Sequence, residues 1–240
     1  MDPSTNAPGR LMRLETSVGP LEDGDCLNAK EFLRRCEALS EPAKIELVEG
    51  IVQVDALRNS PQSLGPRSVI TVGLERYAME TPGIRFAAQP TVLLDRENVL
   101  RPDGALQMPA DFERGSGQPG KDRIAGAPEL IAEAIFSRGI NDLRAKLSAY
   151  RRNGVREFIA WRVLENKIEW FQLEKGEYTL NLPGPNNTLS SRVFPGLVLN
   201  LTALLTQDKA VLARTLQARL SQPDHEAFVK RLAARRLGPG

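Results

Sequence analysis

Residues 128–163 read PELIAEAIFSRGINDLRAKLSAYRRNGVREFIAWRV, and this stretch decides the fold. Glu129 to Phe136 is a near-continuous apolar run broken by Glu133, the pattern of a central strand covered on both faces. From Ile140 to Arg152 the apolar residues Ile140, Leu143, Leu147 and Tyr150 recur at helical spacing. Asn153-Gly154 closes that helix, and Arg156–Val163 reads as a further strand. Strand, long helix and strand form a crossover unit, which implies two parallel strands with the helix on one face.

Working outward, Lys167–Glu174 and Gly176–Leu182 read as two more strands that pair with each other. Upstream, Ile84–Leu94 and Val99–Met108 read as strands joined in a hairpin by Asp95-Arg96-Glu97-Asn98. Between these and the crossover unit, residues 109–127 are rich in glycine and charge and read as a long surface loop. Thr81-Pro82-Gly83 ends a helix expected over Arg67–Glu80, preceded by turn formers from Asn59 to Pro66. Leu47–Val54 reads as a strand interrupted at Gly50 by a bulge or a tight hairpin. Asn28 is placed to cap a helix running to about Leu39. Past Phe194-Pro195-Gly196, a short strand leads to helices expected over Leu201–Leu220 and Asp224–Arg236. The expected organisation is a loose arm over 1–25, an α/β domain over 26–206 and a helical C-terminal extension over 207–240.

The bulk numbers bound function only weakly. In 240 residues, 41% hydrophobic content suffices for a core, and a net charge of +2 gives no bulk argument for nucleic acid. No apolar run is long enough to span a membrane, and no basic-then-apolar leader opens the chain, so a cytoplasmic protein is expected. Cys26 and Cys36 have no partners that would make a zinc site or a disulfide framework, and they read as incidental thiols. The chain from Gln207 onward carries seven Lys or Arg against three acids and reads as a solvated amphipathic tail. Its His225, the sole histidine of the sequence, reads as a surface residue.

Glu133 poses a physical question, because a carboxylate inside an apolar strand is costly without a cation or a hydrogen-bond partner. Asp103 follows Arg101-Pro102 at the other strand end, and Lys146 lies on the crossover helix. Two carboxylates can hold Mg²⁺, which favours oxygen ligands, and a nearby ammonium can orient water and stabilise a phosphodiester transition state. Each residue also has a plainer reading. Lys146 is four residues from Asp142 and could form a surface pair, and Asp103 could be a turn residue. Arg138, Arg144, Arg151, Arg152 and Arg156 surround this helix, with Arg67 and Arg76 on the earlier one. They read as phosphate contacts or as an ordinary solvated face.

Taken in order, Ile45-Glu46-Leu47-Val48-Glu49-Gly50, Pro102-Asp103, Pro128-Glu129-Leu130-Ile131-Ala132-Glu133, Asp142, Lys146, Tyr150, Gly154-Val155-Arg156-Glu157-Phe158 and Phe194-Pro195-Gly196-Leu197 resemble the Uma-two family. That family belongs to the PD-(D/E)XK nuclease superfamily. The resemblance spans about residues 28–206 and implies a restriction-endonuclease-like mixed central β-sheet flanked by helices. It implies a metal-dependent endonuclease acting on DNA, using Mg²⁺ or Mn²⁺, with a homodimer as the form that cuts two strands. Asp103 and Glu133 would be the metal ligands, Lys146 the catalytic lysine displaced onto the helix, and Glu46 a further acid of the cluster. Arg138, Arg144 and Arg67 would contact nucleic acid. Glu46 reads equally as an exposed residue at the start of a strand, and Tyr150 as a packing residue. The chain departs from the pattern in four places: Arg67-Ser68 stands where a histidine is frequent, Ile135 stands where the wider superfamily has its strand lysine, Arg138-Gly139 follows Ser137 where small polar residues are usual, and Trp161-Arg162 ends the later strand. These departures leave open a nuclease fold used for binding without turnover.

Overall fold

The computed structural model describes residues 19–39, 44–55, 61–109, 123–136 and 140–236. Their elements are, in chain order, α1 (Ala29–Cys36), β1 (Lys44–Val48), β2 (Ile51–Asp55), α2 (Pro61–Glu80), β3 (Arg85–Ala88), β4 (Thr91–Leu93), β5 (Val99–Leu100), β6 (Gly104–Gln107), β7 (Arg123–Ala125), β8 (Leu130–Ile135), α3 (Ile140–Asn153), β9 (Glu157–Arg162), β10 (Lys167–Glu174), β11 (Glu177–Leu180), β12 (Thr188–Ser190), β13 (Val198–Asn200), α4 (Leu201–Leu205), α5 (Lys209–Leu220) and α6 (Pro223–Arg236).

The crossover unit is as the sequence predicts. β8 and β9 are parallel neighbours, in register from Leu130 opposite Glu157 to Ile135 opposite Arg162, and α3 connects them. They lie in the middle of a mixed sheet ordered β11-β10-β9-β8-β6-β3. A second sheet runs β2-β1-β5-β4-β7, and β12 pairs with β13 alone. The architecture is therefore a mixed β core flanked by helices, with further helices at the C-terminal end.

Two prolines explain why the strands divide between sheets. The hairpin expected over 84–108 does form, with Leu93 opposite Val99 at its tip and Arg85 opposite Gln107 at its base. Its arms break at Gln89-Pro90 and at Arg101-Pro102-Asp103, where proline has no N–H for the ladder. The tip then joins the five-stranded sheet and the base joins the six-stranded one. Asp103 sits at that break, with its N–H on Ala132 O at 3.1 Å.

Other boundaries differ from expectation for local reasons. Gly50 marks a tight hairpin, not a bulge: Glu49 and Gly50 both have positive φ, 52° and 76°, which suits a two-residue turn between β1 and β2. α2 begins at Pro61, so the turn formers up to Pro66 are helical, because the fixed φ of proline is a helical value. Asn28 caps α1 by accepting the Glu31 N–H at 3.0 Å, and that helix ends at Cys36. Within the span read as a loop, β7 pairs in parallel with β4, while residues 110–122 lie outside the described residues. The helix expected over Leu201–Leu220 is two, because Gln207 adopts φ 57° and Asp208 then caps α5 through the Val211 N–H. Of the arm over 1–25, residues 23–25 line the edge of β2: Gly24 N–H donates to Val52 O at 2.9 Å, and Asp25 O accepts Val52 N–H at 2.8 Å. Residues 1–18 of that arm lie outside the described residues.

The core comprises two apolar layers on either face of the central sheet and a third cluster, Phe32, Ile45, Leu47, Val52 and Val99, between α1 and the second sheet. One layer packs α2 and the C-terminal helices around Ile70, Leu74, Tyr77, Trp170, Phe194 and Phe228. The other layer packs α3 around Leu143, Tyr150 and Phe158. Each large side chain buried this way contributes about 1.5–3 kcal/mol. The segment after Gln207 does more than fill a solvated face, since it buries Leu212, Leu216, Leu220, Phe228 and Leu232. Contrary to its reading as a surface residue, His225 is buried. Its Nδ1 lies 2.9 Å from Leu220 O and its Nε2 lies 3.0 Å from Thr81 Oγ1. Facing it, the turn Phe194-Pro195-Gly196 is held by the Tyr77 hydroxyl on Pro195 O and by Ser191 Oγ, which donates to buried Glu157 at 2.6 Å.

Gly196 has φ 88°, and a Cβ there would stand 2.9 Å from His225 Cβ. Gly196→Ala therefore combines a left-handed backbone with a collision in a packed layer. We expect it to lower the unfolding free energy by about 2–4 kcal/mol, measured by denaturant titration. A loss under about 0.5 kcal/mol would refute this packing account.

Candidate active site

The crossover places Glu133 on the innermost strand and Lys146 on the helix above it. On α3, Lys146 lies three residues after Leu143 and four before Tyr150, on the stripe that packs against the sheet. It is buried, so the surface pair with Asp142 is not what forms. Lys146 Nζ donates to Glu133 Oε1 at 2.7 Å and to Glu46 Oε2 at 2.7 Å. Glu46 arrives on β1 and is equally buried, not exposed at the start of its strand. Its other oxygen, Oε1, accepts the Arg101 N–H at 2.6 Å, which ties it to the chain break that carries Asp103.

Asp103 is fully buried, and its Oδ2 accepts the Ala134 N–H at 2.8 Å. That bond fixes its carboxylate against the strand of Glu133. Arg67 faces Asp103 from α2, with Nε 3.2 Å from Oδ1 and Nη2 3.4 Å from Asp55 Oδ2. Its guanidinium also lies 5.3 Å from the centre of the Phe136 ring, a cation–π contact. Arg67 therefore points inward to the acidic cluster, whereas Arg76 reaches Gln217 on α5.

The residue that sequence reasoning missed is Lys44. It is buried on β1, contacts Glu133 Oε1 and stands 3.6 Å from Glu46 Oε1. A signal was available, since Lys44 and Glu46 are two apart on a strand and so share a face. Lys44, Glu46, Glu133 and Lys146 form the floor of a cleft of about 340 Å³ whose walls include Asp23, Gln53, Asp55, Phe136 and Asp142, while Asp103 and Arg67 are not part of its lining.

Electrostatics separates the two glutamates. Burial pushes the Glu46 carboxyl up, but the ammoniums of Lys146 and Lys44 and the donated hydrogen bonds outweigh it and hold it at about 2. Burial also pushes Glu133 up, and the charges of Glu46 and Asp103 reinforce that push, so its carboxyl stays above the usual range despite both lysines. Burial disfavours the charged form of Lys146, yet Glu133, Glu46 and Asp142 together raise it well above an ordinary lysine. The Tyr150 phenol is likewise raised, first by burial and then by the same acids, and its ring packs against Phe158 at 4.8 Å.

The fit to a divalent metal rests on two buried oxygens that accept no hydrogen bond. Glu133 Oε2 is one, and Asp103 Oδ1, ion-paired with Arg67 Nε at 3.2 Å, is the other. Such atoms are hard-cation ligands of the kind Mg²⁺ takes. Among the described residues, however, no three His, Cys, Asp or Glu side chains are grouped closely enough to hold an ion. The donor chemistry fits, and the acids stand balanced by lysine and arginine.

Of the expected nucleic-acid contacts, Arg144 is exposed on α3, and it borders a shallow groove with Arg151, Phe171 and Tyr178. Arg138 lies outside the described residues. No helix among the described residues is long and apolar enough to cross a membrane.

A mixed sheet that brings a buried acid pair and a helix-borne lysine to one cleft defines a nuclease-like fold. The chain belongs to the Uma2 (Uma-two) family, described as "Putative restriction endonuclease", which matches residues 29–202. It is also similar in fold to a solved "putative nuclease belonging to DUF820" from Anabaena variabilis. That similarity has a TM-score of 0.60 and 14% sequence identity, and covers 75% of this chain and 98% of the other. No curated protein matches the chain.

Because Glu46 falls from 4.5 to about 2 on folding, the stability it contributes is complete above pH 4.5 and fades as the pH drops toward 2. The shift corresponds to about 3 kcal/mol. Urea unfolding should therefore show Glu46→Gln well below wild type at pH 6, with more than half of the gap closed by pH 3. A gap that stays constant with pH would exclude this role for the charge of Glu46.

Proposed function

We propose that this protein is a metal-dependent endonuclease that hydrolyses DNA phosphodiester bonds. The observation that carries the proposal is the co-burial of Glu133 and Glu46 with Lys146 at the floor of one cleft, with buried Asp103 bonded to the Ala134 N–H on the strand of Glu133. Asp103 and Glu133 would hold Mg²⁺ or Mn²⁺ through the oxygens that lack donors. When bound, the metal supplies a water of lowered pKa and neutralises charge growing on the phosphate. Lys146, held in its charged form by Glu46 and Glu133, orients the attacking water and offsets the charge of the transition state. Glu46 positions that ammonium from β1 and does not need to meet the substrate. Arg144 and Arg138 would contact the backbone phosphates, and Arg67 would orient Asp103 and reach the phosphate nearest the metal. Action on cytoplasmic DNA as a homodimer that cuts both strands belongs to the same reading.

A second reading has its own support. Glu133 Oε1 already receives both Lys146 and Lys44, so the acids are stable without a metal. That state suits a nuclease fold that binds nucleic acid or protein without turnover.

Nicking of supercoiled plasmid in Mg²⁺ or Mn²⁺ separates the two. Under the nuclease reading, Asp103→Asn, Glu133→Gln and Lys146→Met each reduce cleavage by about 100-fold or more, with folding checked by circular dichroism. Full cleavage by all three variants would dismiss the site, and absence of cleavage by a folded, DNA-binding wild type would favour the binding module. Separately, Arg144→Ala should weaken duplex binding about equally across sequences and lower the salt slope of log K by about one. An unchanged slope in fluorescence anisotropy would remove Arg144 from the interface.

A further inference from the structure

Around Glu133 the buried charges are matched in number. Glu46, Asp103 and Glu133 are acids at 3% exposure or less, and Lys44, Lys146 and Arg67 are cations at 7% or less. Each cation lies on one or two of those acids: Lys146 on Glu46 and Glu133, Arg67 on Asp103, and Lys44 on Glu133 with Glu46 nearby.

Lys44 is the member that phosphodiester hydrolysis does not call for. It shares Glu133 Oε1 with Lys146, and Glu133 Oε2 is left without a donor. Its side chain faces the same cleft, across which stand the wall acids Asp23, Asp55 and Asp142. Those acids draw cations to the mouth, but the buried cluster behind Glu133 is already neutral. Adding a dication to a neutral buried cluster leaves two uncompensated positive charges in a poorly solvating site, which is costly. A phosphodiester that enters with the metal supplies negative charge and relieves that cost.

We propose that Lys44 is a built-in counter-ion of the metal-binding carboxylates, which makes tight metal binding conditional on an anionic phosphate arriving with the metal. Lys44 holds Glu133 in place in the metal-free protein and acts as a positioning residue, through Glu133 and not on the substrate. This rests on the reading of Asp103 and Glu133 as metal ligands, and it adds an order of assembly: nucleic acid and metal enter together.

The test is calorimetric titration of Mn²⁺ into the full chain, alone and with a phosphorothioate-protected DNA duplex that resists hydrolysis. Wild type, Lys44→Gln and Lys44→Arg are compared. Without duplex, Lys44→Gln should bind Mn²⁺ about tenfold tighter than wild type or better, because one positive charge has left the cluster. Lys44→Arg should behave as wild type. The duplex should tighten Mn²⁺ binding to wild type by about tenfold or more and to Lys44→Gln by much less. A lysine with only a structural role would give unchanged or weaker metal binding when replaced, and that result overturns the proposal while leaving the nuclease reading intact. If Lys44→Gln does not fold, the two wild-type titrations decide, and equal affinities with and without duplex overturn it. Absence of Mn²⁺ binding to any form, duplex included, overturns the nuclease reading and this inference together.

Discussion

A carboxylate in the middle of β8 has apolar neighbours on its own strand and a strand on either side. Glu133 can remain there only if positive charge is brought to it, and much of the surrounding structure does so. α3 lays Lys146 over it, β1 delivers Lys44 from the other sheet, and Glu46 keeps Lys146 from relaxing away. Removing one member of such a set leaves a charge stranded in the interior, an error worth about 3–5 kcal/mol. The acidic centre and the joint between the two sheets are for this reason one object: Lys44 and Glu46 belong to one sheet, and Glu133 belongs to the other.

The same joint fixes Asp103. Pro90 and Pro102 interrupt a hairpin that would otherwise be continuous, and the interruption turns the chain from the central sheet into the neighbouring one. Asp103 is at that turn, its N–H on Ala132 O and its carboxylate on the Ala134 N–H, so two backbone bonds set it against Glu133. The loss of ladder pairing at a proline is here what frees the Asp103 side chain to turn onto the strand of Glu133.

Much of this could be read from the residues. Periodicity alone gives the strand, helix and strand around Glu133, since apolar runs and helical stripes record burial directly. The pairing of Asp103, Glu133 and Lys146 comes from the order of motifs and not from spacing, which left Lys146 free to pair with Asp142 at the surface. Its position between Leu143 and Tyr150 on the packed stripe was the local clue. For Lys44 the sequence offers only its shared strand face with Glu46, and for Arg67 nothing local, because each is buried by a partner far along the chain: Lys44 by Glu133, Arg67 by Asp103. His225 misled for the same reason, as its partners Thr81 and Leu220 carry no motif. Short strands such as β7 were hidden because their pairing is entirely non-local.

Gly73 on α2 lies against Leu199 and Leu212, so close that a Cβ there would meet Leu199 at 3.2 Å. Through it α5 lies directly on α2, and α6 follows to close over Tyr77 and Thr81. The family match ends at residue 202, before either of these helices begins. A protein trimmed to the matched segment would bare the apolar flank of α2, a sticky wall inviting self-association, so recombinant fragments of this chain should retain everything through α6.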